Sequence, residues 1–284
     1  MADEPHAFKR LVLGLEPSAP DRAIRLAANL AELLHLELLG LFLEDPSLRD
    51  LAAIPLVREF QPLGGGWRSI DLDQLSHDLD IAIRNAERMF VEAAKDLTTR
   101  CQFEVTRAAA AQAIASTSRS GDIIVITEPA TSAGRAAQQF SWLLNAAFQS
   151  VATVLIVPAR IVRTAGPIVA IALASHDPSI RTAAAIAVAA KEDLIIAHGY
   201  EGKGDDPEIR ELAADTGLAI KDAFTGKASL SDPASYAHVL RSVQERLVVA
   251  TRDILTPELA LAMASSRRVP VLVIAPGEGS LQSQ

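Results

Sequence analysis

Apolar residues recur along this chain in two periods. Continuous β-branched runs come first: Leu11-Val12-Leu13-Gly14-Leu15, then residues 37–43, 103–106, 123–126 and 154–157. Runs without polar alternation mark strands buried on both faces, as in parallel sheets. Between them lie stretches of helical period. Residues 20–34 place Ile24, Ala27, Ala28, Ala31 and Leu34 on one face, and residues 73–97 do the same with Leu75, Leu79, Ile83, Ala86, Phe90 and Ala94. Further helices are predicted at 109–119 and 133–149. From 45 to 73 the pattern lapses. Pro46, Pro55, Pro62 and Gly64-Gly65-Gly66-Trp67 mark a long irregular excursion with one short helix at 48–59.

The order then replays. Strands are predicted at 168–172, 194–197, 218–224, 247–250 and 271–275. Helices follow at 178–190, 207–216, 233–243 and 257–265. Asp177-Pro178 reads as an N-cap followed by a first-turn proline, and Gly217 as a helix stop. The first two strands and the helix between them repeat at an offset of 156 or 157 residues: Leu11 matches Ile168, Arg25 matches Arg181, and Glu37 matches Asp193. Val154-Leu155-Ile156-Val157-Pro158 and Val271-Leu272-Val273-Ile274-Ala275-Pro276 close the two copies. Strand–helix alternation implies parallel sheets with right-handed crossovers. The predicted fold class is α/β: two tandem doubly wound five-stranded parallel-sheet domains. The first spans 1–160 with the insertion at about 45–73, and the second, smaller one spans 166–278.

Composition narrows the function. The 284 residues are 49% hydrophobic and only 4% aromatic, so Ala, Leu, Ile and Val carry the packing. The net charge of −8 argues against nucleic acid and anionic membrane surfaces as partners. Cys101 is the single cysteine, so neither an intrachain disulfide nor a cysteine metal site is expected. The acidic N-terminus has no signal-peptide core, and the apolar stretch 26–43 is broken by Asn29, Glu32, His35 and Glu37. A soluble, cytoplasmic protein is the expectation.

In strand order and spacing the chain resembles the universal stress protein family in its tandem form, within the wider adenine nucleotide α-hydrolase-like architecture. Leu11 to Ser18, the Ala-rich first helix, Phe103 to Val105 with Ala113-Ile114, Asp122 to Val125 and Val154 to Pro158 carry the likeness. The resemblance implies that the two fifth strands pair antiparallel into an intrachain pseudo-dimer, with a homodimer of the whole chain left open. It implies a stress-response role through a small ligand or a protein partner. ATP in the first domain, bound or slowly hydrolysed, is the alternative.

Family members that bind ATP carry G-x2-G-x9-G-[S/T] after the fourth strand. Here that segment reads Thr127-Glu128-Pro129-Ala130-Thr131-Ser132-Ala133-Gly134-Arg135, with Phe140-Ser141 at the place of the final Gly-Ser. Pro129 removes an N–H, and Glu128 adds negative charge where phosphates would sit. The second half has Thr251-Arg252-Asp253-Ile254-Leu255-Thr256, without glycine. The site residues that the resemblance and the switch-point rule single out are Glu16, Ser18, Thr127, Gly134, Arg135 and Ser141. Structural roles compete: Ser18 as a helix cap, Glu16 at a helix N-terminus, Arg135 as a solvated side chain, Ser141 as an ordinary helix residue. Trp142 reads as core or interface, and the Gly64–Trp67 stretch as a hinge or surface loop. None of the six histidines is spaced for a metal, and neither a nucleophile elbow nor a catalytic metal motif is present. No catalytic residue is assigned.

Overall fold

The computed structural model describes residues 8–15, 21–44, 57–61, 66–69, 71–198, 207–224 and 243–275, with residues 46, 50, 54 and 240. The helix predicted at 233–243 lies almost wholly outside them. One ten-stranded sheet dominates. The first half supplies β1 (Arg10–Leu15), β2 (Glu37–Glu44), β5 (Cys101–Arg107), β6 (Asp122–Thr127) and β7 (Thr153–Val157). The second half supplies β8 (Ile168–Ala172), β9 (Leu194–His198), β10 (Ile220–Phe224), β11 (Leu247–Thr251) and β12 (Val271–Ile274). Their order is β10-β9-β8-β11-β12-β7-β6-β1-β2-β5, so each half repeats one topology and the second is the first turned around. All neighbours are parallel except β7 and β12, which meet antiparallel with Leu155 opposite Leu272.

The helices are α1 (Asp21–Leu33), α2 (Leu72–Ala94), α3 (Ala110–Thr117), α4 (Ser132–Ala136), α5 (Gln138–Gln149), α6 (Pro178–Ala190), α7 (Pro207–Thr216) and α8 (Pro257–Arg267). Alternation along the seam strands explains why the halves hold together. Leu155, Val157, Leu272 and Ile274 enter a core with α1, α2 and α6 on one face. Val154, Ile156, Val271 and Val273 enter a core with α5 and α8 on the other. All eight are at most 1% exposed. Fully burying such a side chain contributes roughly 1.5–3 kcal/mol, so the seam belongs to the core of both halves.

Local signals account for the helix ends. Asp177 accepts from the Ser179 N–H at 2.9 Å ahead of Pro178, and Gly217 takes φ 67° after α7. Asp71 starts α2 by accepting from the N–H groups of Asp73 and Gln74.

Three expectations need correction. Arg58–Gln61 (β3) and Gly66–Ser69 (β4) form an antiparallel hairpin, with Phe60 opposite Trp67, where a helix was expected to reach residue 59. Pro55 cannot sit inside such a helix, and the segments beyond it favour strand. The helix predicted at 133–149 is two helices broken at Ala137, which is extended (φ −64°, ψ 132°). Ala137 itself favours a helix, so periodicity alone does not reveal the break. Trp142 is not core: it is 59% exposed on α5.

Candidate functional site

Strand order reverses between β1 and β6, and a doubly wound sheet opens a crevice at such a point, beyond the strands' carboxyl ends. A cleft of about 490 Å³ occupies that position. Its shape follows from strand alternation. Leu11, Leu13 and Leu15 face α1 and α2, which leaves Val12 and Gly14 on the opposite side. A Cβ added to Gly14 would meet nothing within 4 Å, so the missing side chain is open cleft volume. Leu41 and Leu43 of β2, Ile124 and Ile126 of β6, Ile114 of α3, and Phe140 and Leu143 of α5 complete an apolar wall. Thr117, Ser118, Thr127 and Thr131 add hydroxyls at its edge. Among the described residues on the lining Glu128 is the one with an ionisable side chain.

The loop after β6 is folded on itself. Thr131 caps α4 by accepting from the Gly134 N–H at 3.0 Å. A Cβ on Gly134 would stand 2.8 Å from the Pro129 Cβ, so this glycine allows close packing against proline. Its amide is already engaged and is no phosphate donor. Arg135 donates through Nη1 to the carbonyls of Pro129 at 3.1 Å and Ala130 at 3.5 Å, and its Nε lies 3.6 Å from Glu128 Oε1.

Glu128 is turned away from the position expected of it. Its carboxylate is 6% exposed and points into the seam. Oε1 accepts from the Ser265 hydroxyl on α8 at 2.8 Å, and Oε2 from the Ala159 N–H at 3.0 Å. Ser141 lies apart from Thr127 and Gly134. With Arg135 it lines a second groove, between α5 and α8. The sequence-predicted residues therefore divide: Thr127 and Gly134 line the cleft, Arg135 and Ser141 line the groove, and Glu16 and Ser18 lie outside the described residues. Sequence reasoning did not single out the apolar wall. Its one available signal was Gly14, a glycine inside an otherwise unbroken strand, where a ligand or another backbone can approach closely.

At the matching turn of the second half stands Arg252. Its Nη1 donates to the Ser150 carbonyl at 2.7 Å and its Nη2 to those of Ala147 (3.3 Å) and Ala152. The guanidinium lies over the Phe148 ring, 5.8 Å from its centroid. Burial pushes its pKa down to about 10, which leaves it charged at neutral pH. Beyond β8, Asp177 accepts from the Leu173 N–H at 3.0 Å, and buried Ser179 donates to the Ile171 carbonyl at 2.8 Å. The matching crossover of the second half is thus drawn tight by its own side chains.

Other reactive groups sit elsewhere. Burial pushes the Cys101 thiol up, away from the thiolate a nucleophile needs. Among the described residues no three His, Cys, Asp or Glu side chains gather in a metal-binding arrangement. None of the described helices is long and apolar enough to cross a membrane.

The architecture and the switch-point cleft define a doubly wound α/β fold, repeated within one chain. Among solved structures the chain is similar to a universal stress protein from Archaeoglobus fulgidus DSM 4304, at 14% identity and TM-score 0.64, with 96% of this chain and 99% of that one covered. It is similar too to a proposed universal stress protein from Pseudomonas aeruginosa UCBPP-PA14 (15% identity, TM-score 0.54, 96% and 95% covered). A third likeness is to a protein of unknown function from Pseudomonas aeruginosa PAO1 (16% identity, TM-score 0.55, 95% and 94% covered). No protein-family model and no curated protein sequence matches the chain. The fold is that of universal stress proteins in tandem form.

Proposed function

We infer that the chain is a tandem universal-stress-type protein that works by binding, not by catalysis, and that its ligand enters the cleft of the first half. The domains follow the repeat, 1–160 and 166–278, with the second acting as a structural partner. The role is a response to stress in the cytoplasm, exerted through the bound ligand or through a protein that senses it. The observation that supports a largely uncharged ligand is the cleft lining: an apolar wall with hydroxyls at the rim and no cation among the described residues. A triphosphate needs backbone N–H groups or positive charge. Here the Gly134 amide is engaged by Thr131, and Arg135 by its own loop.

Native mass spectrometry of the purified protein, followed by mild denaturation, tests this reading. The expected result is a small, mainly apolar molecule, released by the wild type and absent from Gly14→Leu. Calorimetric titration with ATP is expected to show no binding. A second reading, ATP bound in the first half, is favoured by the position of the cleft at the switch point and by its size. Micromolar ATP binding abolished by Gly14→Leu would establish that reading in place of the first.

A further inference from the structure

The groove between α5 and α8 holds about 610 Å³ and is lined by both halves. Its charged residues are Arg135, Arg160, Arg268, Glu128 and Glu258. The backbone brings together the two segments that carry Arg160 and Arg268, both of them exposed. The Val162 N–H donates to the Arg268 carbonyl at 3.1 Å, which lays the segment after β7 beside the end of α8. Arg160 projects from the first segment and Arg268 from the second.

Neither guanidinium has a hydrogen-bond or ion-pair partner among the described residues, although two carboxylates are close by in the chain's own networks. Glu128 is held by Ser265, Ala159 and Arg135. Glu245, fully buried, takes two bonds from Arg267 at 2.7 and 2.8 Å and a longer one from Arg163 at 3.4 Å. Glu258 stands at the far end of α8, about 15 Å from Arg268 at 1.5 Å of helix rise per residue. A cation at Arg268 complements the helix C-terminus, which accounts for one of the pair but not for Arg160. Exposed like charges on one groove without a counter-ion repel, weakly because water screens them, and an oxyanion between them reverses the sign of that interaction. The planar guanidinium fork matches a phosphate with two parallel donors.

We propose that this groove is a second binding site, for a phosphate-bearing small molecule, with Arg160 and Arg268 as its anchors. The site exists only in the paired form, because each half supplies one arginine. It is a separate site from the apolar cleft, although Glu128, Phe140 and Ala159 line both.

The test is a thermal-shift and calorimetric titration with inorganic phosphate and pyrophosphate, with ionic strength held constant by sodium chloride, and with citrate as a carboxylate control. The wild type is expected to bind pyrophosphate more tightly than phosphate, and both more tightly than citrate. Arg160→Ala should weaken binding at least tenfold. Arg268→Gly should do the same, and glycine suits the left-handed backbone there (φ 57°), so the helix end is kept. Arg160→Lys should recover part of the loss. Gly14→Leu should leave phosphate binding unchanged, which separates this site from the cleft. Equal shifts in wild type and in a variant carrying both Arg160→Ala and Arg268→Gly, no shift in either, or tighter binding of citrate would each overturn the proposal.

Discussion

The two halves share a topology but diverge at one turn. After β6 the chain reads Thr127-Glu128-Pro129, and after β11 it reads Thr251-Arg252-Asp253. In both, the backbone N–H of the second residue donates to the last strand of its own half, Glu128 to Val157 and Arg252 to Ile274. In both, the side chain then crosses the seam. Glu128 reaches the Ser265 hydroxyl of the second half; Arg252 reaches the carbonyls that end α5 in the first. Duplication within one chain permits this division, since a symmetric dimer would place the same residue on both arms. One arm leaves room for a cleft beside it, and the other is committed to holding the seam.

The second half can be disrupted most severely where the linker enters it. Gly166 has φ 124°, and a Cβ there would stand 2.2 Å from the Gln244 carbonyl oxygen. The Gly166 N–H donates to Glu192, and the neighbouring Pro167 carbonyl accepts from the Arg246 N–H, so the segment has no freedom to retreat. Gly166→Ala is expected to cost about 3 kcal/mol or more, read as a fall in the urea midpoint, or to prevent folding. A shift below about 1 kcal/mol would mean that this segment is not docked as described.

Next in size is Arg252→Ala. It removes donors from three carbonyls at once and uncovers Phe148. The Ala147 carbonyl keeps the Ser150 hydroxyl and N–H, while the carbonyls of Ser150 and Ala152 lose the guanidinium, and hydrogen bonds from a charged donor contribute more than neutral ones. We expect a loss of about 3 kcal/mol in chemical denaturation. Arg252→Lys should recover less than half of it, since one ammonium cannot span the same fork.

Glu128→Ala tests the opposite arm and should cost less, about 2 kcal/mol, because its main partner across the seam is one half-buried hydroxyl. The pair with Arg135, whose side chain is 39% exposed, adds little. Glu128→Gln should recover only part of that loss, since its single amide oxygen can accept from Ser265 or from the Ala159 N–H but not from both. If the two alanine variants proved equal, the asymmetry between the arms would be one of sign only.

Legibility in the sequence follows the range of the interactions. Strands such as Ile168–Ala172 are buried on both faces and therefore read as unbroken apolar runs. The two closing strands were legible because each is an apolar run that stops at a proline, and their antiparallel pairing came from the family resemblance. Caps like Asp177 are local and were equally plain. The destination of Glu128 was not, because Ser265 lies 137 residues away and nothing in either neighbourhood marks the pairing. The break at Ala137 was hidden for a different reason: alanine suits a helix and an extended cap alike. The cleft was half legible. Its position follows from strand order, but its apolar lining comes from residues that a strand pattern already explains as core.

Gly14→Leu has the smallest expected effect on the fold and the most direct bearing on what separates the halves. The position is in the strand interior, its φ is ordinary, and the added side chain enters open space. Filling space without displacing neighbours avoids the strain of overpacking, so stability should change by less than about 1 kcal/mol, with a gain more natural than a loss. The same leucine occupies the centre of the cleft wall, beside Val12 and Leu41. A variant that melts like wild type, keeps its phosphate response in the groove and releases no bound molecule would assign the ligand to the first half alone. A variant that still carries the molecule would move the site elsewhere and leave the unlike side chains that cross the seam, Glu128 and Arg252, to distinguish the halves at this turn.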